Sequence, residues 1–177
     1  MVEGFCYITG HGGEIKTGVG EFLISLTPNL RGVSVNKEFT SQSLFDQVQQ
    51  VKAEVYDCCD LGYPVLASSY GAELLLRALI KEEKLNTNVI MLSPAIGTLR
   101  TSWGPTYLGQ KIEQGQIVKP SLLSICIGQE DIISHIPSII ELAEKLNADK
   151  FDLFPNERHM IKKDIVQQFI INALEMG

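Results

Sequence analysis

The chain has 177 residues, with 15 Lys plus Arg against 21 Asp plus Glu and a formal net charge of −6. That length supports one domain with a substantial core and excludes two ordinary ones. A hydrophobic content of 45% beside 20% charged residues excludes a disordered tail or a fibrous repeat, and without a basic run nucleic acid is not an expected partner.

Taken in chain order, the first residues lack the basic region, long apolar stretch and small-residue cleavage site of a secretory signal. No apolar run approaches the roughly 18 residues that span a membrane, so a cytoplasmic protein without a membrane partner is expected. Apolar, β-branched or aromatic runs at 4–9, 32–36, 64–68, 88–92, 121–127 and 150–154 read as six strands. Most are apolar almost throughout, as parallel strands covered on both faces are. Residues 14–27 are a helical or loop segment. The next helix carries Leu44, Val48, Val51, Val55 and Cys58 or Cys59 at spacings of three and four. Ser43 with Asp46 resembles a capping box with the shorter acid, and Gly62 is placed to stop that helix in a left-handed turn.

Further helices are predicted at 72–81, at 137–147 with Pro137 in the first turn, and at 162–175 with Ile165, Phe169, Ile170 and Ala173 as its buried face. Residues 94–120 hold Gly97, Gly104, Pro105, Gly109 and Gly115, show no clear period, and read as an irregular insertion of functional or mobile character. The alternation predicts an α/β fold: a three-layer α/β/α sandwich on a mostly parallel six-stranded sheet, as a single domain over 1–177. Cys6, Cys58, Cys59 and Cys126 form no C-x-x-C pair, and His11, His135 and His159 offer no zinc spacing, so reduced structural thiols and no metal are expected.

In such sheets ligands bind outside the carboxyl ends of the strands. After the third strand comes Ala67-Ser68-Ser69-Tyr70-Gly71, leading straight into a helix. Small residues two before and two after a serine suit a sharp strand-to-helix turn that lifts Ser69 above the sheet edge, although either serine also serves as a bare N-cap. The amide of Tyr70, at the helix N-terminus, would then face an oxyanion. Gly128-Gln129-Glu130-Asp131 follows the fifth strand and on its own is an ordinary turn. The sixth strand ends in a loop carrying Glu157 and His159. Serine, acid and histidine, each directly after a strand of one sheet, form a nucleophile–acid–base order. His135 reads as solvated or capping, and the run from Lys81 to Lys84 as a solvated helix end. Gly10-His11-Gly12 begins a dinucleotide fingerprint but Ile15 stands at its sixth position, and Gly18-Val19-Gly20 fails at Leu23.

With these residues in register, the whole chain resembles the α/β-hydrolase family. The resemblance implies a nucleophile at Ser69, an acid at Asp131, preferred over Glu130 and Glu157 for its Gly-x-x-Asp spacing, and a base at His159. Thr9-Gly10-His11-Gly12-Gly13-Glu14 is similar to the family's His-Gly oxyanion loop, which implies that Gly13 supplies the second oxyanion amide and that His11 braces the loop. It implies a minimal fold beginning at what is the third strand of a full-length member. The 94–120 segment lies where a lid is commonly inserted, roofing a shallow open site with residues such as Leu99, Trp103, Tyr107 and Leu108 or simply packing onto the sheet. The implied activity is serine hydrolysis of a small-molecule ester or thioester through an acyl-enzyme, with no cofactor. The competing readings are an acyltransferase using the same triad and a non-catalytic ligand-binding protein of the same fold.

Overall fold

The computed structural model describes residues 2–177. The chain runs through β1 (Phe5–Ile8), α1 (Val19–Leu26), β2 (Leu30–Val33), α2 (Lys37–Thr40), α3 (Leu44–Asp60), β3 (Val65–Ser68), α4 (Tyr70–Ala78) and β4 (Asn88–Leu92). It continues through a hairpin of β5 (Arg100–Thr101) and β6 (Gly104–Pro105), α5 (Tyr107–Glu113), β7 (Leu122–Gly128), α6 (Ile136–Lys145), β8 (Lys150–Phe154) and α7 (Lys163–Leu174). Six strands make one wholly parallel sheet in the order β2-β1-β3-β4-β7-β8.

Alternation along β1 divides the core in two. Cys6 and Ile8 face the layer built from α3, α4 and α6, where they meet Val55, Leu75 and other buried side chains. Phe5 and Tyr7 face the layer under α1 and α7, with Leu23, Phe169 and Ile170. Both faces of the sheet are covered, which is why its strands read as unbroken apolar runs. The chain leaves β1 for β2 on one side and returns past it to β3 on the other. That reversal opens a crevice between the carboxyl ends of β1 and β3, the place where open α/β sheets bind ligands.

Several elements differ from expectation. The second strand stops at Val33 because Ser34 and Asn36 are used elsewhere: Ser34 Oγ accepts from the Ile15 amide at 3.0 Å, and Asn36 caps α2 by accepting from the Phe39 amide at 3.1 Å. The 94–120 segment is ordered rather than irregular, forming the hairpin and α5. Leu99 and Leu108 are buried in the core layer of α4 and α6, and the Leu99 amide donates to Ser138 Oγ at 2.8 Å. The stripe of α3 differs at its start: Val51, Val55 and Cys58 are buried and Val48 packs against the core, as expected, but Leu44 is 46% exposed and Gln47 is buried, its side-chain amide donating to the Gln42 carbonyl at 2.9 Å.

All four cysteines are free thiols, and three of them are buried. Burial pushes the Cys126 thiol well above its ordinary range, and a hydrogen bond with Cys58, followed by burial, does the same for Cys6. Among the described residues no helix is long and apolar enough to cross a membrane.

Candidate active site

β3 ends at Ser68 and α4 starts at Tyr70, so Ser69 alone makes the turn, at φ 50° and ψ −122°. This is a region L-residues rarely adopt, and only surrounding bonds hold it. The Ser69 amide donates to the Leu92 carbonyl at 2.9 Å, and its own carbonyl accepts from the amides of Ala72 and Ala95, both at 3.0 Å. Small neighbours are required. A Cβ on Gly71 would stand 2.3 Å from the Thr9 carbonyl oxygen, and Ala67, paired in register with Ile8, is fully buried.

The structure brings Ser69, Asp131 and His159 together, from three separate strand ends. Ser69 Oγ lies 2.8 Å from His159 Nε2, and His159 Nδ1 lies 2.7 Å from Asp131 Oδ2. A carboxylate at Nδ1 selects the tautomer protonated there, which leaves Nε2 to accept the serine hydroxyl. Asp131 is itself fixed, because its Oδ1 accepts from the amides of Ile133 at 2.8 Å and Ser134 at 3.0 Å. Its carboxylate has no solvent exposure, and the imidazole retains 11%.

Backbone contacts join the acid and histidine loops. The Gln129 amide donates to the Phe154 carbonyl at 2.9 Å and the Glu130 amide to the Glu157 carbonyl at 2.8 Å. Gly128 permits the approach, since a Cβ there would stand 2.3 Å from the Glu157 carbonyl oxygen. The other two acids point elsewhere: Glu130 sits 3.8 Å from Arg158, and Glu157 pairs with Lys162 at 2.9 Å. His135 is the N-terminal flanking residue of α6, its Nδ1 2.8 Å from Ser138 Oγ.

The oxyanion loop departs from expectation. The Tyr70 amide is the first of α4 and has no intrahelical acceptor. The Gly13 amide, however, donates to the Gly10 carbonyl at 2.9 Å, and that of Gly12 to the Val35 carbonyl at 2.7 Å, so neither is free. Gly10 is the residue that meets the serine: a Cβ there would stand 3.0 Å from Ser69 Cβ and 3.7 Å from Oγ. Among the described residues, the amides of Gly10 and His11 have no acceptor. The brace is Thr9 rather than His11. Thr9 Oγ1 accepts from the Val35 amide at 2.8 Å and donates to the Gly10 carbonyl at 3.1 Å, whereas the His11 ring is exposed, tilted 6.5 Å from that of Tyr70. The usable signal was the end of β1, from which the loop should be counted, rather than the His-Gly dipeptide.

A cavity of about 600 Å3 opens beside Ser69 and His159. Its walls come from the starts of α1 and α7, and neither Leu99, Trp103, Tyr107 nor Leu108 lines it. The insertion is not a roof: Leu99 and Leu108 lie in the core, and Trp103 is 96% exposed. Among the described residues no group of three or more His, Cys, Asp or Glu side chains is placed to hold a metal ion.

No family model matches the chain, and no curated protein matches it in sequence. Solved structures do. The ydeN gene product of B. subtilis is 14% identical with a TM-score of 0.63, over 98% of this chain and 100% of that one. A monoacylglycerol lipase of Paleococcus ferrophilus is 12% identical with a TM-score of 0.64, over 96% and 94%. A Xanthomonas campestris protein of the alpha/beta superfamily is 12% identical with a TM-score of 0.68, over the full length of both chains. At such identities the likeness speaks for architecture, and it agrees with the strand order and the strained turn at Ser69: this chain has the α/β-hydrolase fold.

Proposed function

We propose that the protein is a serine hydrolase that cleaves a small-molecule ester or thioester through Ser69, His159 and Asp131. One observation carries the reading: an unbroken line of hydrogen bonds from the strained serine through imidazole to a buried, doubly anchored carboxylate. Ser69 Oγ attacks the acyl carbon while His159 Nε2 takes its proton, and Asp131 stabilises the imidazolium without being protonated. The carbonyl oxygen becomes an oxyanion, held by the Tyr70 amide and, in place of Gly13, the His11 amide. His159 returns the proton to the leaving oxygen or sulfur, and the acyl group remains on Ser69. Water then attacks under the same base, and the acid leaves. Hydrolases occur among the structures of this fold, including the lipase above and an N-formylmaleamic acid deformylase of Pseudomonas putida, which supports the class of chemistry.

The test is intact-protein mass after a fluorophosphonate probe. The wild type is expected to gain one adduct and Ser69→Ala none, with ester turnover falling by about 10⁶-fold in the variant. An adduct that persists in Ser69→Ala, or folded wild type that takes none, overturns the assignment.

A further inference from the structure

The cavity beside Ser69 passes from an exposed rim to a buried floor on one side of the sheet. At the rim, Met160 follows His159 in the histidine loop and is 86% exposed. At the floor, Tyr7, Leu92 and Val166 are 5%, 5% and 8% exposed and belong to the core layer under α1 and α7. Val19 in the first turn of α1 and Ile161 just before α7 form the walls between them. The one polar group in this set, the Tyr7 hydroxyl, is tied to Ser68 Oγ at 3.2 Å. Apolar surface left open to water at the bottom of a cleft is unfavourable unless a ligand covers it. The one acidic residue that lines the cavity, Glu14, is exposed and its carboxylate accepts from Asn36 Nδ2 at 3.0 Å, so its charge belongs to the open side and the part of the ligand that reaches Tyr7, Leu92 and Val166 is hydrocarbon.

Which end of the substrate goes there follows from the order of proton transfers. His159 protonates the leaving atom, so the leaving group lies on the open side by Met160 and departs to solvent. The acyl part stays on Ser69 while water enters through the same opening, and only the buried branch of the cavity holds it without blocking that entry. Building on the Ser69 reading, we propose that the branch between α1 and α7 is an acyl channel and that the substrates are esters or thioesters of unbranched, medium-length acyl chains. The whole cavity, open side included, is about 600 Å3, an ordinary size for a ligand pocket, so the branch that forms part of it takes a chain of about six to ten carbons and not a long fatty chain.

The experiment has two substrate arms and one binding arm. With p-nitrophenol fixed as leaving group and the acyl chain varied from acetyl to hexadecanoyl, kcat/KM is expected to rise about fourfold per methylene up to the floor and then fall. With acetyl fixed and the alcohol varied from ethanol to octanol, it stays flat. Val166→Phe at the floor and Val19→Phe on the wall are each expected to lower the octanoate-to-acetate ratio at least about tenfold, by filling the space of two or more methylenes. If one of them does not fold, the other supplies the ratio. In the binding arm, octanamide raises the melting temperature of Ser69→Ala and acetamide does not. A flat acyl profile, a rise confined to the alcohol arm, or no octanamide shift overturns the channel. Absence of all turnover with a retained octanamide shift overturns the hydrolase reading alone.

Discussion

Ser69 holds a backbone conformation that costs an L-residue of order 1–3 kcal/mol, and the bonds to Leu92, Ala72 and Ala95 offset it. Glycine accepts a positive φ without that cost and alanine does not. Ser69→Gly is therefore expected to be more stable than Ser69→Ala by about 1 kcal/mol, read from urea midpoints at equal slopes. Equal stabilities would mean that Ser69 is not strained. Asp131→Asn tests the other end of the proposed triad. The amide keeps the shape but can donate to His159 Nδ1, which favours the wrong tautomer, so kcat should fall by about 10⁴-fold with the fold intact. These residues were legible in the sequence because each stands directly after a strand, and strand ends in an α/β sheet share one edge. The oxyanion loop was not. Gly10 to Gly13 is closed by a turn hydrogen bond that the glycine-rich composition does not specify, and that bond removes Gly13 from use.

The histidine loop shows how an element fixes a residue it does not touch. Glu157 is 4% exposed, and its carboxylate accepts from the Lys162 amide at 2.9 Å, closing the stretch that carries His159. Glu157→Ala opens this closure. It is expected to lower kcat by about 10²-fold, the effect of misplacing a catalytic group by an ångström, with KM little changed. Glu157→Gln retains an acceptor for the Lys162 amide and should recover most of the loss; two equally impaired variants would show that the ion pair matters instead. Periodicity found α7 and most of its face: Phe169, Ile170 and Ala173 are buried as expected, but Val166 rather than Ile165 completes the line, and Val166 is the residue of α7 that reaches the cavity. In the insertion, two-residue strands and a seven-residue helix are too short to show any period. The depth of the site consequently depends on α1 and α7, to which the sequence reading assigned no part in it.

Over the whole molecule, the paired carboxylates and the buried thiols bound the stability from opposite sides. Lys162, through its ammonium and its amide, holds the Glu157 carboxyl below its usual range, and Lys145, with help from Arg100, does the same for Glu113. Burial acts to raise the Asp149 carboxyl, but the Lys119 ammonium and the Leu123 amide outweigh it and leave it lowered. These groups sit in a loop, in α5 and ahead of β8, so the effect belongs to no single element. A carboxyl lowered in the fold takes up its proton in the unfolded chain first. Its stabilisation is present above the unfolded value and is lost as pH falls below about 4.5. Buried Cys126, Cys6 and Tyr7 act in the opposite sense. Their folded values are raised, mainly by burial for Cys126 and Tyr7 and by the Cys58 hydrogen bond for Cys6. The unfolded chain ionises first as pH rises, and stability falls above about 8.5, the ordinary thiol value. Urea midpoints at constant ionic strength are thus expected to form a plateau between about pH 5 and 8 with a decline on each side. A midpoint that keeps rising above pH 9 would show that the thiols and Tyr7 are reached by water in the native state. One that holds level below pH 4 would show that the ion pairs contribute nothing to folding.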